Sequence, residues 1–187
     1  TVFETFFPEK RPFFLEDSRT FVLNYGQFPM FHSRRIGQAP GRLPLVSGDK
    51  LVSKPDQTTI LGAAKLTGKA NGWTFGGLTA LTSREYATVE RTDVDANGSP
   101  VVSRTERLIE PLTSYSVGRV QRDIRRSSNV GVIGTAVVRE KTTDAFTGGF
   151  DYNMRWHSNL YQWDGHWVAT QAAFGTDMRT GGGGVTR

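Results

Sequence analysis

Two aspartates and two histidines near the C-terminal end of the chain are the residues best suited to acid–base or metal chemistry. Asp151 and His157 lie in one alternating segment, and Asp164 and His166 lie in the next. Because a hairpin would bring the polar faces of these segments together, the four side chains form a candidate site for an envelope hydrolase. No nucleophile elbow or HExxH motif accompanies them. We therefore expect no catalytic residues, and we interpret the four as polar side chains of the fold.

Two further motifs are similar to ligand-binding loops but break the required spacing. Five residues separate Gly62 from Gly68 in GAAKLTGKA, whereas a phosphate-binding loop has four. Residues 93–98, DVDANG, match the first half of a calcium loop, but Arg104 occupies the position of the closing carboxylate. The chain has no cysteine, which excludes thiolate metal sites. We predict that the protein binds no metal and no cofactor.

The elements that would position these residues are strands with a strict period of two. In residues 145–157, AFTGGFDYNMRWH, aromatic and apolar side chains alternate with polar ones, and residues 161–170 repeat the pattern. In a strand the two sets point to opposite faces. A bilayer-spanning strand needs about 9–11 residues with one apolar face, so this pattern favours a membrane barrel. The side chains predicted to face lipid, or to stack on sugar, are Phe150, Tyr152, Trp156, Trp163 and Trp167.

The opposite face of these strands, and of earlier ones, carries the charged and amide side chains. In a membrane barrel this face lines the lumen, which is normally rich in charge. The candidate lumen-facing residues are Lys65, Arg119, Gln121, Asp123, Arg139, Asp151, Asn153, Arg155 and His157. The net charge of +5 is scattered along the chain, so we do not expect a nucleic-acid-binding surface.

The chain divides into two parts of one domain. Residues 1–56 are rich in Phe, Pro and Arg and predict an irregular segment, with short strands around Thr20–Tyr25 and Met30–Arg35. Residues 57–187 predict antiparallel barrel strands, which begin with a hairpin that turns at Asn71-Gly72. The charged residues 85–110 predict an exposed mobile loop or a strand extension, and Gly181–Gly184 predict a tail.

The ends of the chain suggest that it is a fragment of a larger barrel. It begins without Met or a signal peptide, and it closes on a glycine run followed by Val-Thr-Arg. No run of 18 or more apolar residues occurs, so no transmembrane helix is expected. Strands of alternating polarity remain compatible with a membrane.

Four blocks of sequence resemble one known family. They are FFPEKRPFFLED at 6–17, FHSRRIGQAP at 31–40, ILGAAKLTGKANGWTFGGLTALT at 60–82 and EPLTSYSVGRVQRD at 110–123. In this order they are similar to the C-terminal domain of unknown function that follows a family-nine-like carbohydrate-binding module in envelope proteins of Gram-negative bacteria. The resemblance covers most of residues 6–140. It implies an outer-membrane β-barrel and an envelope location, and it implies no established reaction.

The combined expectation is an all-β fold, namely an antiparallel β-barrel of the outer-membrane type. Such a protein would act as a channel, a receptor or an assembly component in the bacterial outer membrane. Membrane lipid is the expected partner, and polysaccharide and other envelope subunits are further candidates. Two alternatives stay open: a soluble carbohydrate-binding β-sandwich, in which the aromatic faces pack inside or stack on sugar, and the envelope hydrolase.

Overall fold

The computed structural model describes residues 8–23, 28–41, 45–125, 127–174 and 177–186. Most of these residues lie in antiparallel strands, which confirms the all-β prediction. In chain order the elements are helix α1 (Pro12–Leu15) and strands β1 (Val22–Leu23), β2 (Phe28–Pro29), β3 (Asp49–Ser53), β4 (Ile60–Ala70), β5 (Trp73–Thr82), β6 (Glu85–Val94), β7 (Pro100–Glu110), β8 (Thr113–Arg125), β9 (Ser128–Arg139), β10 (Ala145–Trp156), β11 (Tyr161–Phe174) and β12 (Asp177–Thr186). Within the described part of the chain, no helix is long and apolar enough to cross a membrane.

Seven strands form the main sheet, in the order β12–β11–β10–β9–β8–β5–β4. Neighbours in the main sheet follow one another in sequence except at β5 and β8, where the chain leaves to form β6 and β7. Those two strands pair with β3 in a second, three-stranded sheet, and β1 pairs with β2. Strands β4 and β12 are the two edges of the main sheet, and the described residues do not join them. The closed barrel expected from the sequence is therefore not formed by the described part of the chain.

Local structure agrees with the sequence prediction in the hairpins and departs from it elsewhere. Asn71 and Gly72 both have positive φ, 49° and 76°, and join β4 to β5 as predicted. Residues 85–110 are paired strands, so the strand extension is confirmed and the loop is wrong. Gly181–Gly184 belong to β12 and are not a tail. The second short strand lies at Phe28–Pro29, while Ser33–Arg35 form a 3-10 turn.

The register gives the main sheet two faces of different chemistry. The inner face carries Leu78, Val117 and Ile133 and is covered by residues 8–23 and 28–41, called here the N-terminal segment. The outer face is the opposite one. Side chains from the N-terminal segment and from the inner face form one buried apolar cluster, which is made of Phe14, Phe21, Leu23, Ile36, Leu78, Ala80, Tyr115, Val117 and Ile133.

Two glycines of the inner face allow the N-terminal segment to lie directly on the sheet. A Cβ at Gly76 would lie 2.6 Å from Cγ2 of Thr20, and a Cβ at Gly149 would lie 2.6 Å from Sδ of Met30. Lys65 then holds the segment from β4, since its Nζ donates to the carbonyl oxygens of Phe13 at 2.7 Å and Glu16 at 2.8 Å. The cover of the inner face is therefore fixed by both packing and hydrogen bonds.

A carboxylate clamp holds the N-terminal segment together. Glu9 accepts hydrogen bonds from Nη2 of Arg11 at 2.7 Å and from Oγ of Ser33 at 2.6 Å. Arg11 also donates from Nη1 to the carbonyl oxygen of Ile36 at 2.8 Å. The hydrogen bond from Arg11, aided by Ser33, lowers the pKa of Glu9 to about 2, against the desolvation that raises it. The charged form of Glu9 thus favours the folded segment.

We predict that Glu9→Gln removes part of the acid sensitivity of the fold. A carboxyl group whose pKa is lowered on folding contributes stability that is full above its ordinary pKa of 4.5 and is lost as the pH falls toward about 2. The variant should melt at a lower temperature than the wild type at pH 7, and the difference should shrink at pH 3. Thermal melting at both pH values measures this. The exposed Glu106→Gln is the control and should match the wild type at both.

Candidate functional site

The outer face of the main sheet is apolar and open. Many of its large side chains are solvent-exposed, with Leu66 at 68 % and Trp167 at 58 % of their full accessibility, whereas Tyr152 is buried at 8 %. Across the described strands of the main sheet, the register places a single charged residue on this face, Arg122. Its guanidinium lies 5.0 Å from the ring centroid of Trp73, at the end of the strand. The interior of the outer face is therefore free of charge.

All five aromatic residues predicted from the alternation lie on the outer face. Phe150 is the cross-strand partner of Trp167, and the rings of Tyr152 and Trp163 lie 4.8 Å apart. Trp156 stacks on Tyr161 at 5.9 Å. Trp163 donates from Nε1 to Oγ1 of Thr186 at 2.8 Å, and Tyr152 also bonds to that hydroxyl. The polar atoms of these two rings are satisfied within the sheet, so an apolar environment would not leave them unpaired.

Aromatic rings cover glycines on the neighbouring strands of this face. Phe75 lies over its partner Gly68, where a Cβ would come within 2.3 Å of the ring. Trp167 lies over its partner Gly184 in the same way. Such pairs protect a strand that glycine would otherwise weaken. They explain how the glycine-rich β12 is held against β11.

Four glycines form a band across the centre of the outer face. Gly77, Gly118, Gly134 and Gly148 are successive cross-strand partners, and no atom lies within 4 Å of a Cβ built on any of them. A shallow groove continues this band toward β12, between Gly148, Ala169 and Gly182, with Phe150 and Trp167 along one side. Alternation alone did not reveal this band, because it depends on the register between strands.

The inner face carries the predicted polar residues at one end of the apolar cluster. Nη2 of Arg119 donates to Oδ2 of Asp151 at 2.9 Å, and both side chains are only 4 % exposed. The same nitrogen donates to Oε1 of Gln121 at 3.1 Å. Gly131 lies beneath this pair, since a Cβ there would be 2.7 Å from Oδ1 of Asp151. Arg119, Gln121, Asp151, Asn153 and Asp164 are called here the polar patch.

The other predicted lumen residues are spread over the inner face. Asp123 forms an ion pair with Lys69, in which Nζ of Lys69 lies 2.9 Å from Oδ2 of Asp123. Arg155 continues the row of β10, and Arg139 lies at the far end of β9, where it donates to the carbonyl oxygen of Thr143. Lys65 holds the N-terminal segment, as described above. The structure thus places these residues on one face without gathering them into one site.

His157 does not belong to this row. It lies beyond the end of β10, is exposed, and has a φ of 52° in the turn to β11. It lies six positions along the chain from Asp151, which corresponds to roughly 20 Å at about 3.3 Å per residue. His166 is the cross-strand partner of Asp151, and Asp164 is that of Asn153. The candidate hydrolase cluster is therefore not assembled, because one of its two histidines lies far from the others.

The polar patch has the chemistry of a structural ion pair. Asp151 is engaged by a buried guanidinium and is closed to solvent, which is unsuited to a general acid or base that must reach a substrate. Among the described residues, no group of three or more His, Cys, Asp and Glu could hold a metal ion. The surface most open to a partner is the outer face.

We predict that the Arg119–Asp151 pair contributes to stability far more than an exposed pair does. Arg119→Met removes the guanidinium that pairs with the buried Asp151. This change should lower the free energy of unfolding by about 3–5 kcal/mol. Arg104→Met removes an exposed ion pair to Glu90 of similar length, 3.0 Å, and should cost at most about 1 kcal/mol. Chemical denaturation measures both. The double variant Arg119→Met/Asp151→Leu should recover much of the loss, and equal costs for the two single variants would contradict the assignment.

Comparison with known proteins identifies a family whose function is not known. The chain matches the family described as a domain of unknown function (DUF5916) over residues 1–185. No curated protein matches the chain, and no solved structure matches it. Because the match spans nearly every residue, the chain belongs to the DUF5916 family.

Proposed function

We propose that this chain forms part of the wall of an outer-membrane β-barrel, with the outer face of the main sheet against lipid. The observation that carries the proposal is the segregation of charge between the two faces. The outer face presents exposed Leu, Val, Phe and Trp side chains and one charged residue at its end, while the inner face holds the buried ion pair. Hydrocarbon accepts such an apolar face and rejects charge in its interior.

The length of the strands fits a bilayer. Strand β10 has 12 residues and so spans about 40 Å at about 3.3 Å per residue. Barrel strands tilt by about 35–45°, which projects this length to roughly 30 Å across the membrane. The aromatic residues near one end of the sheet, Trp73, Trp156 and Tyr161, match the interfacial girdle that membrane barrels carry.

The free edges of the main sheet support a larger barrel. Strands β4 and β12 each have a neighbour on one side only among the described residues. An unpaired edge exposes backbone hydrogen-bonding groups that hydrocarbon cannot satisfy. Further strands, from the same polypeptide or from another subunit, would close the sheet in a membrane. In that barrel the N-terminal segment would lie inside the lumen.

The covered inner face favours a receptor or assembly role over an open channel. Phe14, Phe21, Leu23 and Ile36 are packed on the sheet as part of its core, so this part of the lumen is filled. The envelope location and the link to polysaccharide rest on the resemblance of the four sequence blocks to domains that follow a carbohydrate-binding module.

A soluble carbohydrate-binding protein is the second candidate. The groove beside Phe150 and Trp167 on the outer face is the feature that favours it, since exposed aromatic rings stack on sugars. In that case the outer face meets water. Binding of the purified chain to a polysaccharide without detergent, lost in Trp167→Ala, would support this function and contradict the membrane proposal.

Matched arginine substitutions test the proposal, and we predict different costs at two equally exposed valines. Val132 on the outer face is 52 % exposed, and Val102 on the β6–β7 hairpin is 56 % exposed. In a lipid bilayer, Val132→Arg should lower the free energy of unfolding by about 2–4 kcal/mol. Val102→Arg should lower it by no more than about 0.5 kcal/mol. Folding in lipid vesicles over a urea series measures both. Equal tolerance of the two arginines would remove the basis for a lipid-facing surface.

We also predict that cysteines introduced at Val102 and at Val132 differ in their reaction with a maleimide. The chain contains no cysteine, so a single introduced thiol is the only site for a maleimide. Val102→Cys should react with a water-soluble, membrane-impermeant maleimide in vesicles, and Val132→Cys should react only after the vesicles are dissolved in denaturant. Mass spectrometry gives the labelled fraction. Rapid labelling of both thiols in intact vesicles would show that water reaches the outer face.

A further inference from the structure

The amide of Asn153 is the most unusual polar group in the fold. Asn153 is 1 % exposed on the inner face of β10. Neither its amide nitrogen nor its amide oxygen has a hydrogen-bond partner among the residues that the structure describes. Within the same residues, Nη1 of Arg119, a residue that is 4 % exposed, also lacks a partner. Buried polar atoms of native proteins nearly always have a partner, which can be protein or ordered water.

These unpaired atoms lie close together on the sheet. Asn153 follows Asp151 by two residues on the same face, so their Cα atoms are about 7 Å apart. Arg119 contacts that same Asp151 through Nη2 at 2.9 Å. Across the strands, Asn153 is flanked by Asn129 on β9 and by Asp164 on β11. The unpaired amide and the unpaired guanidinium nitrogen therefore belong to one polar environment.

The chemistry of this environment selects a small neutral ligand. The amide of Asn153 offers both donors and an acceptor, and Nη1 of Arg119 offers donors. The arginines and aspartates of this face balance, with Arg119 and Arg155 against Asp151 and Asp164, and His166 lies beside them as the cross-strand partner of Asp151. A cation would meet two guanidinium groups and an anion would meet two carboxylates. A ligand that both donates and accepts, and carries no charge, satisfies the atoms without disturbing the ion pair.

We propose that the polar patch binds ordered water at Asn153, as one molecule or a short chain that reaches Arg119. Water is small enough for a buried site, and an internal water molecule typically makes about three hydrogen bonds to such groups. The inner face then has two halves. The half under Phe21, Leu23 and Ile36 is dry, and the half around Asn153 is hydrated. This inference is independent of the membrane, because it holds whether the outer face meets lipid or water.

Oxygen-17 magnetic relaxation dispersion tests the site on the folded, purified chain. It detects water molecules that stay bound longer than the protein takes to tumble. The wild type should show such water, and Asn153→Leu, which removes both amide partners and fills their space, should lose at least one molecule. Asn97→Leu makes the same chemical change in the exposed β6–β7 turn and should leave the signal unchanged.

Two results would overturn the proposal. One is a wild-type chain without long-lived water. The other is a folded Asn153→Leu variant whose dispersion equals that of the wild type. If the leucine variant does not fold, Asn153→Ala replaces it, because alanine leaves space at the site while it removes the amide. The bound water should then exchange faster than in the wild type, and an unchanged residence time would contradict its contact with Asn153.

Discussion

Packing of the N-terminal segment against the inner face is the interaction on which the rest of the structure depends. The buried apolar cluster takes Phe14, Phe21, Leu23 and Ile36 from the segment and its other members from the main sheet. A single sheet cannot bury a face against itself, so without the segment the inner face would have no apolar partner. Gly76 and Gly149 keep the two surfaces in contact where any side chain would separate them.

Once the inner face is covered, the period of the strands determines the chemistry of the outer face. Residues that alternate with the core must point away from it, and where β9 pairs with β10 these are Val, Ala, Gly, Phe and Tyr. A soluble sandwich usually places polar residues there. The outer face instead carries mostly apolar side chains, and the lipid contact proposed above would give them an apolar environment. The difference between the two faces links the fold to the proposed function.

The sequence predicted the strands and faces well because both depend on local alternation. The hairpin at Asn71-Gly72 follows from the tolerance of these residues for positive φ. The aromatic face of β10 follows from its period of two. Contacts between distant segments were not predicted. The Lys65 contact with α1 joins residues about fifty positions apart, and no local pattern encodes it. Strand β12 was not predicted either, because Gly181–Gly184 have low strand propensity. These glycines are held in the sheet by pairing with β11 and by the ring of Trp167.

The polar patch keeps a charged pair inside the fold. Separating Arg119 from Asp151 would leave a buried charge, so the pair fixes the register of β8, β9 and β10 once it forms. A one-residue slip of β8 would turn Arg119 to the outer face, and a one-residue slip of β10 would turn Asp151 to it. A charged side chain on the outer face costs more free energy when that face contacts hydrocarbon than when it contacts water. In the membrane proposed above, the buried pair would therefore make the register of the main sheet more specific than in water.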